Sequence, residues 1–251
     1  MLKFVLSILI VMVSATLAFT QSSSDFHKLE VYGGYSLASV ESNSAGWNVL
    51  FAGGGGIQLP DLCSSSSTNA LGANFQRGYF CSRRNFNGFD GSVTYNVSRY
   101  FGIKGDVTGH FKSGQFVDTV GGVTFTIDTK DRLYNFLGGV QVKDNATKAR
   151  LKPFGHALFG AARYSARLQQ VATVAAANYI LEDSDTSFAM KLGGGLDVRV
   201  NDRIDIRLIE LDYNPEFAGD RALTRVQGPY TVSTTGKTAH NFTIGFGIVI
   251  H

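Results

Sequence analysis

The residues with the most chemistry in this 251-residue sequence are ionised side chains set in the middle of apolar runs. Glu30, Asp90, Asp106, Asp197 and Asp205 stand with Lys104, Lys191, Arg199 and Arg207 among Leu, Val, Ile, Phe and Tyr neighbours. Five acids against four bases nearly cancel. A buried ion is costly unless it is paired, so the pattern predicts that these groups neutralise one another inside the molecule.

The five histidines, His27, His110, His156, His240 and His251, form no compact His-x-Ser pattern. His110 has Ser113 close by in sequence and Asp118 or Asp131 further on, which is the raw material of a hydrolytic site if the chain brings them together. The plainer reading, taken here, is that they hydrogen-bond as polar residues, and no catalytic residue is assigned. Asp183, Asp185, Asp212 and Glu216 are candidates for a divalent cation, but their spacing matches no complete calcium loop. They are read as solvated charges, with no metal and no cofactor. The run Gly53–Gly56 lacks the Lys-Ser/Thr of a phosphate-binding loop and reads as a flexible or bulged stretch.

The elements that position these groups begin after residue 18. Lys3, the apolar stretch Phe4–Val13 and Thr16-Leu17-Ala18 read as a signal peptide over residues 1–18, leaving a mature domain of residues 19–251. The apolar stretch is shorter than the roughly 20 residues a spanning helix needs, and no apolar window of that length recurs. An exported chain folds in an oxidising compartment. The only two cysteines, Cys63 and Cys81, therefore predict a disulfide within one Ser/Gly/Asn-rich stretch. The net charge of +3 is small and its carriers are scattered, which argues against a nucleic-acid partner.

Between Leu29 and His251, eight runs alternate with a period of two. In GFDGSVTYNV, Phe89, Val93, Tyr95 and Val97 separate from Asp90, Ser92, Thr94 and Asn96; in the last run Phe242, Ile244, Phe246, Ile248 and Ile250 share one face. The phase changes at Leu208-Ile209, where a β-bulge is expected, and the face of His156 is undetermined. Short connections at Ser98-Arg99, 144–152 and Asn201-Asp202 alternate with long ones at about 41–86, 114–131, 168–186 and 218–238. All the long loops therefore lie on one side.

Alternation alone suits a soluble sandwich as well. The ionised residues on the polar faces favour an inverted arrangement, in which a narrow barrel pairs charges in its lumen and turns aliphatic and aromatic side chains to lipid. The fold class expected is all-β, an eight-stranded antiparallel up-and-down transmembrane β-barrel.

The signal peptide, HKLEVYGGYS, GFDGSVTYNVSRYFGIKGDV and the terminal HNFTIGFGIVIH together resemble the OmpA-like outer-membrane β-barrel proteins of the porin family over essentially the whole mature chain. The resemblance implies the bacterial outer membrane, contact with its lipid and lipopolysaccharide, and insertion by the barrel-assembly machinery. It also implies a non-enzymatic role in envelope structure or in binding an extracellular ligand through the loops, with at most a narrow pore. Two further readings stand beside it. One is a lipid-modifying or hydrolytic enzyme with a His-based site at the rim; the other is a soluble lipocalin-like carrier with its apolar faces turned inward.

Overall fold

In the computed structural model, the alternating β-branched, aromatic and polar residues form extended chain and close on themselves. The structure describes residues 26–41, 45–51, 55–61, 73–146, 148–173, 179–222, 225–226, 230–234 and 236–251. The proposed signal peptide lies outside them. In chain order the strands are β1 (Leu29–Val40), β2 (Ala45–Phe51), β3 (Gly55–Asp61), β4 (Arg84–Asn96), β5 (Phe101–Val120), β6 (Val123–Lys143) and β7 (Leu151–Ala172). They continue with β8 (Tyr179–Arg199), β9 (Ile204–Phe217), β10 (Arg221–Ala222), β11 (Arg225–Val226), β12 (Tyr230–Thr234) and β13 (Thr238–Ile250). Two helical turns, Ala73–Phe75 and Gln76–Phe80, precede β4.

Eight strands make the barrel, in the order β1-β4-β5-β6-β7-β8-β9-β13, with β13 returning to β1. Every neighbouring pair is antiparallel, and the ladder from Val31↔Ile250 to Ser39↔Phe242 closes the ring. No edge is left in the cylinder, which is what a sheet in hydrocarbon requires, because lipid offers no partner to a free N–H or C=O.

The faces sort by environment. Phe246 is 56% exposed and Ile248 51%, while Asp197 and Asp205 are 0% exposed and Arg207 1%. Along β5, Ile103, Val107 and Phe111 point out, whereas Lys104, Asp106, Thr108 and His110 are buried. This is the inverse of a soluble carrier, whose apolar side chains would line the cavity. The bulge falls at Leu208-Ile209: Gly245 pairs with Glu210 and Gly247 with Arg207, so two residues of β9 face one of β13. Leu208 and Ile209 both point outward, and Arg207 and Glu210 both point inward.

The connections differ from the open loops expected. Strands β5 to β8 run for 20, 21, 22 and 21 residues, against 12 and 13 for β1 and β4. Crossing the bilayer takes only about 9 to 11, so most of 114–131 and 168–186 is paired strand extending beyond the membrane. The outward residues of the extension, such as Ser113 and Gln115, meet water and carry no apolar alternation, which is why the sequence there reads as loop. The β5–β6 hairpin turns at Gly121 (φ +59°) and Gly122 (φ +79°), a two-residue reversal whose positive φ angles suit glycine. The first and last long connections contribute β2, β3, β10 and β12 to a separate four-stranded sheet, and β11 pairs with β8.

Candidate functional site: the filled lumen and its cap

The candidate site is the barrel interior, built in layers. At the end near the short turns, Lys152 donates to Asp205 (2.8 Å), and the ring of His251 bonds the same carboxylate through Nε2 (2.8 Å). His27 stacks on His251 with ring centroids 4.0 Å apart. Above them Lys143 lies 2.9 Å from both Glu30 and Asp197.

Arg207 is the centre of the next layer. Its guanidinium donates to both oxygens of Asp197 (2.8 and 3.2 Å) and to Glu210 (2.8 Å). The ring centroids of Tyr32 and Phe154 lie 4.1 and 4.0 Å from it, so the planar cation gains aromatic contact as well as paired charge. The bulge makes this possible, since Arg207 and Glu210 could not share one face of a regular strand three residues apart.

Lys191 gathers four carboxylates, with Nζ 2.6 Å from Asp90, 3.2 Å from Asp106, 3.4 Å from Asp212 and 3.9 Å from Glu210. Lys104 lies 3.7 Å from Asp106 and 3.5 Å from Glu210, and its ammonium donates to His156 Nδ1 at 3.3 Å. With that nitrogen accepting, His156 Nε2 donates to Asp212 at 3.0 Å. His156, Glu210 and Asp212 bring their ligand atoms within 4.8 Å of one another, the spacing of a metal site. The ammonium groups of Lys104 and Lys191 already pair with the Glu210 and Asp212 carboxylates, so a metal ion there would meet two cations.

Arg199 departs from the expected network: it lies at the β8–β9 turn and pairs with Asp202. Lys143, Lys152, Glu210 and Asp212, which were not read as lumen partners, belong to it. Lys143 and Lys152 border a turn, Glu210 follows the bulge, and Asp212 reads in the sequence as a solvated charge, so simple alternation conceals all four.

Beside and beyond the ions packs an apolar cluster of Ala38, Val40, Phe86, Leu133, Leu137, Leu158, Ala162 and Ala189, with Leu137 opposite Asp106 and Leu158 opposite Lys191 on the inner wall. Above it Asp131 receives hydrogen bonds from Arg84 (2.7 Å), Tyr79 (2.8 Å) and Tyr164 (2.5 Å). Burial pushes the Tyr79 hydroxyl well above its usual range, which keeps it a donor. The Arg84 guanidinium also lies 4.1 Å over the Tyr79 ring. The helical turns pack against the inner face of the extended strands: Phe75, Tyr79 and Phe80 meet Ile127, Ala166, Leu168 and Leu181. The Asp118 carboxylate accepts the backbone N–H groups of Asn74 (3.2 Å) and Phe75 (2.8 Å), anchoring the start of the cap.

The possible hydrolytic set is not assembled. His110 points into the lumen and bonds Ser36 at 2.9 Å, while Ser113, three residues on, faces outward. Asp118 is engaged by the cap and Asp131 by Arg84. Asp212 and Glu216 are buried in the barrel, Glu216 accepting from Asn241 at 2.8 Å, and are not the solvated charges expected. Cys81 ends the helical turns, and Cys63 lies outside the described residues.

A search among curated proteins returned no match. Among solved structures, the chain is similar to Ail, the attachment invasion locus protein of Yersinia pestis, at 14% identity and a TM-score of 0.38, covering 89% of this chain and 100% of that one. It is similar to OprG of Pseudomonas aeruginosa at 12% identity and a TM-score of 0.43, covering 91% and 100%. A third is the outer membrane protease OmpT of Escherichia coli, at 10% identity and a TM-score of 0.46, covering 92% and 99%. The family model for the outer membrane protein beta-barrel domain matches residues 6–248. With a closed barrel, apolar outside and ionised inside, the chain belongs to the outer membrane β-barrel family of bacteria.

Proposed function

We propose that this barrel is a non-enzymatic, non-conducting scaffold of the outer membrane, which holds a rigid extracellular extension for envelope structure or contact with an outside ligand. The observation that carries the reading is the lumen, filled by paired ions packed with the Phe86/Leu133/Leu158 cluster and overlain by the Phe75–Phe80 turns. An eight-stranded bore is just wide enough for side chains to fill. An ion would have to break buried pairs and displace packed side chains. The extension of β5 to β8 gives the outer end a paired, shape-holding surface that flexible loops lack.

Reconstitution in planar bilayers tests the proposal. The protein is expected to add no unitary conductance above the lipid baseline. Steady ohmic openings from the folded, heat-modifiable form would overturn the closed-lumen reading and favour a pore.

A further inference from the structure

The barrel end with the short turns faces the periplasm in outer-membrane barrels. There the three residues before β1 pack against the neighbouring connections. Phe26 bridges to Ala146, and the His27 N–H donates to the Asn145 carbonyl at 3.3 Å. From the end of β4, Asn96 donates its backbone N–H to the Lys28 carbonyl (2.7 Å) and its side-chain amide to the His27 carbonyl (2.8 Å). The His27 ring lies against that of His251, which follows β13, with centroids 4.0 Å apart and planes 17° apart. The segment is thus held by hydrogen bonds on both flanks and by one ring stack.

That stack tolerates at most one charge, because two imidazolium ions so close would repel. His27 Nε2 is buried without a hydrogen-bond partner, so a proton added there would bring a desolvated charge. The groups around it do little to welcome one. Glu30 of β1 and Asp205 of β9 attract a proton, but Glu30 already neutralises Lys143 of β6 (2.9 Å) and Asp205 neutralises Lys152 of β7 (2.8 Å). Asp197 of β8 also pairs with Lys143, and Asp144, before the Asn145 contact, pairs with Arg99. Lys28, next in sequence, and Arg203, whose carbonyl accepts the His251 N–H, add positive charge. Burial, then His251 and Lys152, lower the His27 imidazole from 6.5 to about 4.

We propose that Phe26-His27-Lys28 is an acid-released latch, docked on the periplasmic end of the barrel while His27 is neutral and lifted when its ring takes up a proton. A histidine that holds its proton less readily when docked stabilises docking above its ordinary value and loses that contribution as pH falls from 6.5 towards about 4. The docking equilibrium should weaken by about tenfold or more over that range, short of the full effect because the half-buried ring is partly screened by water. Lifting would let water reach the Lys152–Asp205–His251 cluster and free the chain before β1 to reach into the periplasm. The latch sits at the opposite end of the lumen from the Phe75–Phe80 turns, and its release does not depend on whether the barrel conducts.

The test uses the whole protein in lipid vesicles, with Cys63 and Cys81 replaced by serine and nitroxide labels at Lys28→Cys and Lys148→Cys, both exposed positions. Pulsed electron paramagnetic resonance is expected to give one narrow distance at about pH 7.5 and a broad distribution at about pH 4.5. His27→Phe keeps a flat ring beside His251 but cannot titrate, so its distance should stay narrow at both; His27→Gln, smaller and equally neutral, serves if the larger ring does not dock. A control pair at Lys148→Cys and Arg203→Cys, on two exposed turns, should not respond to pH, which separates release of the latch from loosening of the barrel. The boiled-versus-unboiled gel shift verifies the fold of each variant. A wild-type distance that is the same at both pH values would overturn the proposal. Equal broadening in wild type and the neutral variants, or broadening of the control pair, would overturn it as well.

Discussion

Replacing Lys191 by methionine tests how the interior is held. The side chain is 1% exposed, its ammonium lies within 4 Å of Asp90, Asp106, Glu210 and Asp212, and methionine roughly preserves its length. The substitution therefore removes charge more than volume. It leaves Lys104 as the ammonium nearest to Asp106 and Glu210, and leaves Asp90 with no other ion pair among the described residues. Removing one partner of a buried pair costs about 3–5 kcal/mol, because the remaining charge stays desolvated. That is roughly two to four orders of magnitude in the folding equilibrium. Urea titration in lipid vesicles, read by the mobility of the unboiled band, gives the loss directly. Lys191→Met/Asp90→Asn should recover a substantial part of it, since the most exposed debt of the single variant is the lone Asp90 carboxylate. Lys28→Met, on an exposed residue, should change stability by less than about 0.5 kcal/mol. A loss below about 1 kcal/mol for Lys191→Met, with no recovery in the double variant, would refute the argument that charge pairing organises the lumen.

Other substitutions probe the cap, the extension and the rim. Asp118→Ala removes the acceptor of the Asn74 and Phe75 N–H groups, so limited proteolysis should cut near residues 73–80 sooner while the barrel keeps its gel shift. Gly122→Val places a β-branched residue at φ +79° with nothing within 4 Å of the new Cβ; the cost of about 1–2 kcal/mol is purely one of backbone, measurable by the same urea titration. At the outer rim, burial pushes the Glu41 carboxyl up, but the His240 N–H (2.7 Å) and the Lys237 ammonium outweigh it and hold it below its usual range. A depressed carboxylate stabilises the fold above its unfolded pKa and loses that contribution as pH falls through the folded one. The stability gap between wild type and Glu41→Gln should therefore be full at neutral pH and close on acidification below the ordinary carboxylate range; a gap independent of pH would contradict the assignment.

The barrel was legible because a strand buried on one face repeats every two residues, and lipid on one side with paired ions on the other gives the strongest contrast that repeat can carry. Phe242 to Ile250 and Phe101 to Phe111 show it plainly. Legibility failed where the contrast failed. Beyond the membrane the outer face of β5 to β8 meets water and the inner face packs on a distant segment, so no apolar alternation marks Gln115 and Thr126 as strand. The phase change at Leu208-Ile209 was visible, but its consequence was not: it turns Glu210 inward beside Arg207, a meeting that only the register across β13 reveals. Lys143 and Lys152 were hidden because they flank a turn and their side chains reach back into the lumen. The Phe75, Tyr79 and Phe80 cap left a trace, a tight aromatic cluster after a Ser-rich stretch, yet nothing local said that it would enter the barrel mouth.

The central claim is that fatty side chains face hydrocarbon and ionised ones face the axis. Single spin labels placed in turn from Phe242 to Ile250, in a background with Cys63 and Cys81 replaced by serine, measure this through collision with oxygen dissolved in the bilayer. The account predicts high oxygen accessibility at Phe242, Ile244, Phe246, Ile248 and Ile250, and low accessibility at Thr243 and Val249, which are 7% and 0% exposed. High accessibility at Thr243 and Val249 with protection of Phe246 and Ile248 would contradict it.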